Sequence, residues 1–303
     1  MKTLKLPFAA IAISMALAVS FVACKKKNNT PAQDTDASGA SDNTLAEKTA
    51  DDMVNMAGQA SENGSMSSYR EIEDAFGLGC ATVVYDSINK KITATFSGTC
   101  LDGHTRSGTL TFDYSQSAAG AKFYRNPGFK CVVTSTNYMV DGNQVNIVNK
   151  TITNTTPTPI SGNLTWTVTS NINIVKAGGA GTISWAATKY KTLLNTSDTS
   201  CYHGQAHHIT WTKAIIGITG NASGTTASNE SFSANVTSQL VRSMVCSPDG
   251  AHPGLHPFIN GNLDFTPGSK ATRHIDYGYP NGGLCDDQAL LTINSYTTAI
   301  TVR

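Results

Sequence analysis

Polar and apolar residues alternate along most of the chain after position 80. In NLTWTVTSNINIV, residues 163–175, the apolar side chains at positions 164, 166, 168, 172 and 174 alternate with Thr and Asn. A period of two places one face of a strand against a core and the other in water, as in antiparallel sheets. The same alternation returns at residues 92–96, 110–114 and 232–240. These segments are predicted to be β-strands.

Turn signals separate the alternating runs and set the fold class. They are Asp141-Gly142-Asn143, Gly178-Gly179-Ala180-Gly181, Pro267-Gly268 and Asn281-Gly282-Gly283. About a dozen strands are expected. The long strands predicted over residues 162–175 and 181–194 favour a large antiparallel meander that forms a curved sheet or open barrel. We therefore predict an all-β fold, with residues 44–303 as a single β-rich domain.

A different period precedes the strands. Residues 44–60 carry apolar or small side chains at helical spacing, and Thr44 with Glu47 fits a capping box. One short amphipathic N-terminal helix is predicted here. We expect its stripe to pack on the sheet, although such a stripe also fits a partner protein; it consists of Leu45, Thr49, Met53 and Met56.

The first residues have the pattern of a bacterial export signal. Lysines at the start precede an apolar run that is too short for a membrane span, and the run ends in Phe21-Val22-Ala23-Cys24. This ending resembles a lipobox, which predicts a signal peptide over residues 1–23 and a lipidated (palmitate-bearing) Cys24. A plain secretory signal is the alternative. Several acyl chains would hold the protein on a lipid bilayer.

The segment after Cys24 lacks apolar periodicity. Residues 24–43 are predicted to be a flexible tether. Lys25 to Lys27 fit anionic headgroups. The expected location is the cell envelope, lipid-anchored at the outer membrane, on the periplasmic face or the cell surface.

Charge and composition limit the partners. Two of the 22 basic residues and none of the 21 acidic ones lie within residues 1–23, so the mature chain has a formal charge of −1. This balance gives no indication of nucleic-acid binding. Charged residues make up 14% of the chain, against about 25% in typical proteins. The expected surface is polar but uncharged.

Cysteine usage indicates disulfides. Apart from Cys24 there are six cysteines, an even number that favours disulfides in an exported chain: Cys80, Cys100, Cys131, Cys201, Cys246 and Cys285. Six cysteines allow 15 connectivities. The chain has no Cys-x-x-Cys pair, so neither a thiolate zinc site nor a redox dithiol is expected.

Two cysteine-containing blocks are alike. Residues 95–103 and 276–287 each join an aromatic residue, a glycine, a cysteine and an aspartate, which suggests an internal half-repeat. The segments at residues 92–114 and 274–303 resemble a family of uncharacterised lipoproteins of Bacteroidetes. The resemblance implies a β-rich, membrane-tethered body and supplies no established activity.

Hairpin geometry suggests how the cysteines pair. If Asp86 and Lys91 flank a turn, Cys80 falls opposite Ser97, and Cys100 reaches it by curling back past Gly98. We therefore pair Cys80 with Cys100, Cys246 with Cys285 by internal likeness, and Cys131 with Cys201. Asp102 and Asp286 are expected to accept bonds from nearby backbone amides.

Histidines are the main candidates for metal binding. His203, His207 and His208 lie in one predicted loop, and His252 and His256 lie in another. If the loops met, three imidazoles could bind Zn²⁺ or Cu²⁺. At most two of the first three converge in a strand, so solvated loop histidines are favoured. We predict no metal site and no cofactor.

Catalytic motifs are missing from the sequence. It contains no G-x-S-x-G, no H-E-x-x-H and no P-loop. The favoured hypothesis is a non-enzymatic envelope lipoprotein with a structural role or a binding role toward a glycan or a protein. The alternative is an open-barrel carrier that shelters an apolar or lipid ligand. A hydrolase is less favoured.

Overall fold

The computed structural model describes residues 34–62, 80–100, 103–204, 209–210, 213–246, 258–268, 270–283, 285–286 and 288–301. Its helix α1 spans Ser38–Glu62. Its strands are β1 Ala81–Asp86, β2 Lys91–Thr99, β3 Thr105–Asp113, β4 Lys130–Val140, β5 Asn143–Asn154, β6 Thr165–Val175, β7 Thr182–Leu193, β8 Ile215–Thr225, β9 Ser231–Ser243, β10 Phe258–Pro267, β11 Arg273–Asp276, β12 Gln288–Ile293 and β13 Tyr296–Thr301.

The thirteen strands form one antiparallel meander. Each strand pairs with the strands before and after it in the chain, so the order in the sheet is the order in the sequence. Among the described residues β1 and β13 each pair on one side only, and the sheet is not closed. The predicted all-β meander with one N-terminal helix is confirmed.

The period-two pattern determines which side chains enter the core. On β7, Ile183, Trp185 and Leu193 are buried, and the residues that alternate with them face outward. Trp166 on β6 is also buried. These two tryptophans are core residues, and Trp211 lies outside the described residues.

The sheet curves around α1. The helix packs against β4, β6 and β7, and Gly39 near its start lies against Phe265 of β10. In a flat sheet β4 and β10 would be about 29 Å apart at about 4.8 Å per strand. Asn43, Glu47 and Asp51 contact Trp185, Lys189 and Lys191 in that order, so the helix runs along β7. Its width of about 10–12 Å, and not its length, therefore spans the neighbouring strands. Simultaneous contact with both strands therefore requires strong curvature, with α1 on the concave side.

The helix is longer than predicted, and its start corrects two expectations. Residues 38–43, assigned to the tether, are helical, and Thr44 is not a cap because its hydroxyl donates to the carbonyl of Ala40 inside the helix. Asp36 caps the helix instead, since its Oδ1 accepts bonds from the backbone N–H and the hydroxyl of Ser38. These bonds are the main reason that the pKa of Asp36 falls to about 2.

Two of the three predicted disulfides are present. Ala81 lies opposite Phe96, which places Cys80 opposite Ser97, and Cys80 bonds to Cys100. Cys246 bonds to Cys285.

The third predicted disulfide is wrong. Cys131 and Cys201 are both free and buried. The Cys131 thiol faces the carbonyl of Val132 in β4, whereas the Cys201 thiol lies in the turn after β7, 3.6 Å from Asn195 Oδ1. The sheet places two strands between β4 and β7, so the two cysteines come from separate parts of the core.

Candidate functional site

Basic side chains occupy inward positions of three strands. Each lies where the alternation predicts an apolar residue, and each is at most 5% exposed: Lys150 on β5, Lys189 and Lys191 on β7, and Arg242 on β9. Buried lysine and arginine are rare unless they are paired. The concave face therefore needs a source of negative charge.

Helix α1 supplies the acids. Glu47 and Asp51 are four residues apart, so they lie on one face of the helix and point toward the same strands. Glu47 Oε1 lies 2.5 Å from Lys189 Nζ, although this amine lacks hydrogen-bond geometry. Asp52 lies 3.8 Å from Arg242 Nη2. Both sides of the helix–sheet interface are thus charged.

Asp51 is the centre of this network. Its Oδ1 is 2.8 Å from Lys191 Nζ, and its Oδ2 accepts a bond of 3.1 Å from Arg242 Nη1. Burial raises the pKa of the carboxyl, but the two cations together outweigh burial and bring this pKa to about 2. Burial also lowers the pKa of Lys191, against the opposing effect of Asp51. Asp51 is ionised at every physiological pH.

Lys150 is the least compensated cation. Its Nζ donates to Ser170 Oγ at 2.8 Å, and in the described part of the chain it has no ion pair. Burial lowers its pKa to about 7, with Asp51 acting in the opposite direction. A neutral lysine beside a serine hydroxyl is the chemistry of a Ser-Lys nucleophile. Ser170 is only 6% exposed and Lys150 is fully buried, so a substrate cannot reach them.

The start of α1 is fixed by further polar contacts. Asp42 pairs with Lys176 at 2.7 Å and accepts the backbone N–H of Ala227 at 2.8 Å. Asn43 Oδ1 accepts the indole N–H of Trp185 at 3.0 Å. These contacts tie the first turns of the helix to β7 and to the chain around β6 and β8.

Arg273 of β11 fixes the chain just before the helix. Its guanidinium lies 2.8 Å from Asp34 and donates to the carbonyl of Asp36. Lys270 adds an exposed pair with Asp36 at 3.3 Å. The polypeptide that enters α1 is therefore held on the sheet from Asp34 onward.

A small cavity lies beside this network. Its volume is about 10 Å³, which is the room needed by a single water molecule. Its walls come from α1, the loop before β4, and β6 to β9: Asn55, Tyr124, Trp166, Lys191, Ile216 and Arg242. The Tyr124 and Trp166 rings stack with their centroids 4.8 Å apart. Helix α1 packs on the same side of β4, β6 and β7.

The sequence-predicted site residues are dispersed. His203 Nε2 lies 3.0 Å from the hydroxyl of Thr210. His207, His208, His252 and His256 lie outside the described residues, as do Cys24 and Asp102. Within the described ranges no group of three or more His, Cys, Asp or Glu has the arrangement of a metal site.

The block near the C-terminus serves as a corner between strands. Asp276 Oδ1 accepts the N–H of Gly278, and Asp286 Oδ1 accepts the N–H of Gln288, both at 2.8 Å. The local bond predicted for Asp286 is confirmed. Tyr277 packs in the core with its ring centroid 5.3 Å from that of Phe258.

The buried charges were not predicted from the sequence, although one signal for them exists. Lys189 and Lys191 stand in phase with Ile183, Trp185 and Leu193, which marks them as inward-facing. Their partners were not predictable, because Glu47 and Asp51 lie about 140 residues away in the chain.

Comparison with known proteins adds no relative, since no family model, curated protein or solved structure matches this chain. No described helix is long and apolar enough to cross a membrane.

Proposed function

We propose that this protein is a non-enzymatic, membrane-anchored envelope lipoprotein that binds a neutral glycan on the outer face of its sheet. The anchor is acylated Cys24, and the support for it is the lipobox-like sequence at residues 21–24. The support for a binding role on the outer face comes from Tyr190.

Tyr190 is the single observation that carries the glycan proposal. It is 53% exposed on the outer face of β7, whereas Trp166 and Trp185 are buried. Tyr190 pairs with Thr167 of β6 on one side and with Thr219 of β8 on the other. An exposed aromatic ring offers apolar area to the face of a sugar.

The surroundings of Tyr190 favour a ligand without charge. Thr188 and Thr192 flank it on the same face of β7, and Asn221 lies opposite Thr188 on β8. Hydroxyl and amide groups donate and accept hydrogen bonds, as sugar hydroxyls require. The outward-facing positions of this patch are therefore suited to a neutral polysaccharide.

The concave face gives less support to a carrier of an apolar ligand. Helix α1 and its ion pairs occupy the part of that face formed by β4, β6, β7 and β9, and the described cavity beside them has room for about one water molecule. An acyl chain would need the helix to leave and its buried charges to lose their partners. The described residues therefore favour the outer face over the interior.

Glycan affinity chromatography and calorimetry with the soluble chain from residue 25 onward test the ligand. Neutral polysaccharides are expected to bind, and Tyr190→Ser is expected to weaken binding at least tenfold. Tyr296→Ser, on the outermost strand β13, is the matched control and should bind normally. Equal binding by wild type and Tyr190→Ser would refute the assigned surface.

Metabolic acyl labelling tests the anchor separately. Wild-type protein is expected to incorporate fatty acid and to fractionate with the outer membrane. Cys24→Ser should do neither. Labelling that persists in Cys24→Ser would contradict the proposed anchor without affecting the glycan site.

A further inference from the structure

Hydrogen-bond donors exceed acceptors between α1 and the sheet. In the described part of the chain Asn43 Nδ2 and Arg242 Nε are buried and make no hydrogen bond. Both are N–H donors, and each unsatisfied donor costs about 1–3 kcal/mol. Among the described residues this interface therefore has too few acceptors.

The charges of the interface are unbalanced in the same direction. Among the described residues Lys189, Lys191 and Arg242 pair with three carboxylates, those of Glu47, Asp51 and Asp52. Lys150 bonds to a neutral hydroxyl. When all four bases are protonated, these described groups carry one more positive than negative charge, and an uncompensated buried charge is costly.

The cavity borders part of this network, and Asn43, Lys150 and Lys189 are not among its lining residues. Lys191 and Arg242 both line it, and both are at least nine-tenths buried. Asp51 engages Lys191 Nζ and Arg242 Nη1, which leaves Lys191 with further N–H donors and Arg242 with its Nε. With about 10 Å³, the cavity accommodates a monatomic ion but not a tetrahedral oxyanion.

We propose that this cavity binds one monatomic anion, a halide such as chloride, with Lys191 and Arg242 as its ligands. Asn55 adds an amide donor, and the Trp166 ring and Ile216 form apolar walls. A water molecule fits the same volume, but it brings O–H donors into a region that already has too many. An anion only accepts, and it supplies the missing negative charge.

The anion is expected to bind together with a proton on Lys150. The groups that act on this amine are Asp51 of α1, Lys191 of β7 and Cys131 of β4. Asp51 stays ionised, and burial raises the pKa of Cys131 so that this thiol stays neutral. A bound anion raises the pKa of Lys150 from about 7. The affinity of the cavity for the anion should therefore be greatest at low pH and fall as pH rises above about 7.

Thermal unfolding of the chain from residue 25 onward in chloride, bromide and gluconate salts of equal ionic strength tests the site. Chloride and bromide are expected to raise Tm saturably, by a few degrees, and gluconate is too large to do so. The rise in Tm should be larger at about pH 6 than at about pH 8.5. Equal responses to chloride and gluconate would show that the cavity holds water only and overturn the proposal.

Two variants and one control identify the residues involved. Lys150→Met should abolish the pH dependence of the chloride effect, and Lys91→Met, which removes an exposed lysine, should preserve it. Arg242→Lys keeps the charge but removes Nε and should weaken chloride binding at least tenfold. If Arg242→Lys does not fold, the comparison of chloride with gluconate on the wild-type protein still tests whether the cavity binds a halide. Neither outcome depends on glycan binding.

Discussion

Asp51 holds two basic side chains of the sheet at once, Lys191 and Arg242. Removal of this carboxylate leaves Lys191 buried without its ion-pair partner and leaves Arg242 with Asp52 at 3.8 Å, which is worse than replacing the whole network with apolar residues. This residue therefore controls how firmly α1 is attached to β7 and β9.

Asp51→Asn is expected to lower the free energy of unfolding by about 3–5 kcal/mol at pH 7. The matched control is Asp113→Asn, because Asp113 pairs with Lys91 at 3.4 Å on the surface. This substitution should lower the free energy of unfolding by less than about 1 kcal/mol. Urea unfolding followed by tryptophan fluorescence measures both. Similar losses of unfolding free energy in the two variants would show that burial of the Asp51 network does not contribute to stability.

The pH dependence of the same variant has a definite sign. The pKa of Asp51 is depressed to about 2 in the folded protein from an ordinary value of 3.8. The stability due to ionised Asp51 is therefore complete above about pH 4 and is lost as pH falls through about 2. Asp51→Asn should lack this contribution, so its unfolding free energy should decline less steeply over that interval.

At the scale of elements, the contact between β3 and β4 depends on a glycine. Gly108 has φ +83° at a β-bulge, and a Cβ there would lie 2.1 Å from the carbonyl oxygen of Asn137. Only a residue without a side chain permits the two strands to approach this closely. This geometry explains why glycine stands in the TRSG segment at residues 105–108.

Gly108→Ala is expected to destabilise the protein by more than Gly98→Ala. Gly98 also has a positive φ of +103°, but a Cβ there would meet no atom within 4 Å. Gly98→Ala, the control, should therefore lose only about 1–3 kcal/mol of stability through backbone strain. Gly108→Ala adds a steric overlap with the backbone of Asn137. Chemical denaturation of both variants measures the difference. Equal losses of unfolding free energy in the two variants would contradict the steric overlap assigned to Gly108→Ala.

Helix α1 differs from a surface helix because its polar side is buried too. Met53 and Met56 pack in the core as the predicted stripe requires, while Glu47 and Asp51 face the sheet cations. The apolar spacing was readable from the sequence. The burial of the charged side was not, because it follows from a sheet that wraps around the helix.

At the scale of the whole described domain, two disulfides close the polypeptide at separate places. Cys80–Cys100 joins the start of β1 to the end of β2, and Cys246–Cys285 joins the end of β9 to the corner before β12. Loops of 20 and 39 residues stabilise by roughly 3–4 kcal/mol each in the chain-entropy model.

Thiol labelling checks this assignment. In denaturant without reductant, Cys131 and Cys201 should react with maleimide, and the four disulfide-bonded cysteines should not. In the folded protein both thiols should react slowly, because they are buried and burial raises the pKa of each, that of Cys201 to about 11. A peptide that links Cys131 to Cys201 would contradict the assignment.

The strand pattern, the existence of the helix and the Cys80 to Cys100 pairing follow from the amino-acid sequence alone, because each depends on short-range periodicity or on one hairpin. The fold of the whole sheet places α1 on the concave face, brings Glu47 and Asp51 to the lysines of β7, and keeps Cys131 and Cys201 apart. These outcomes depend on the curvature of thirteen strands, which accumulates over the whole sheet. Local alternation gives the face on which a residue lies but not what lies opposite it.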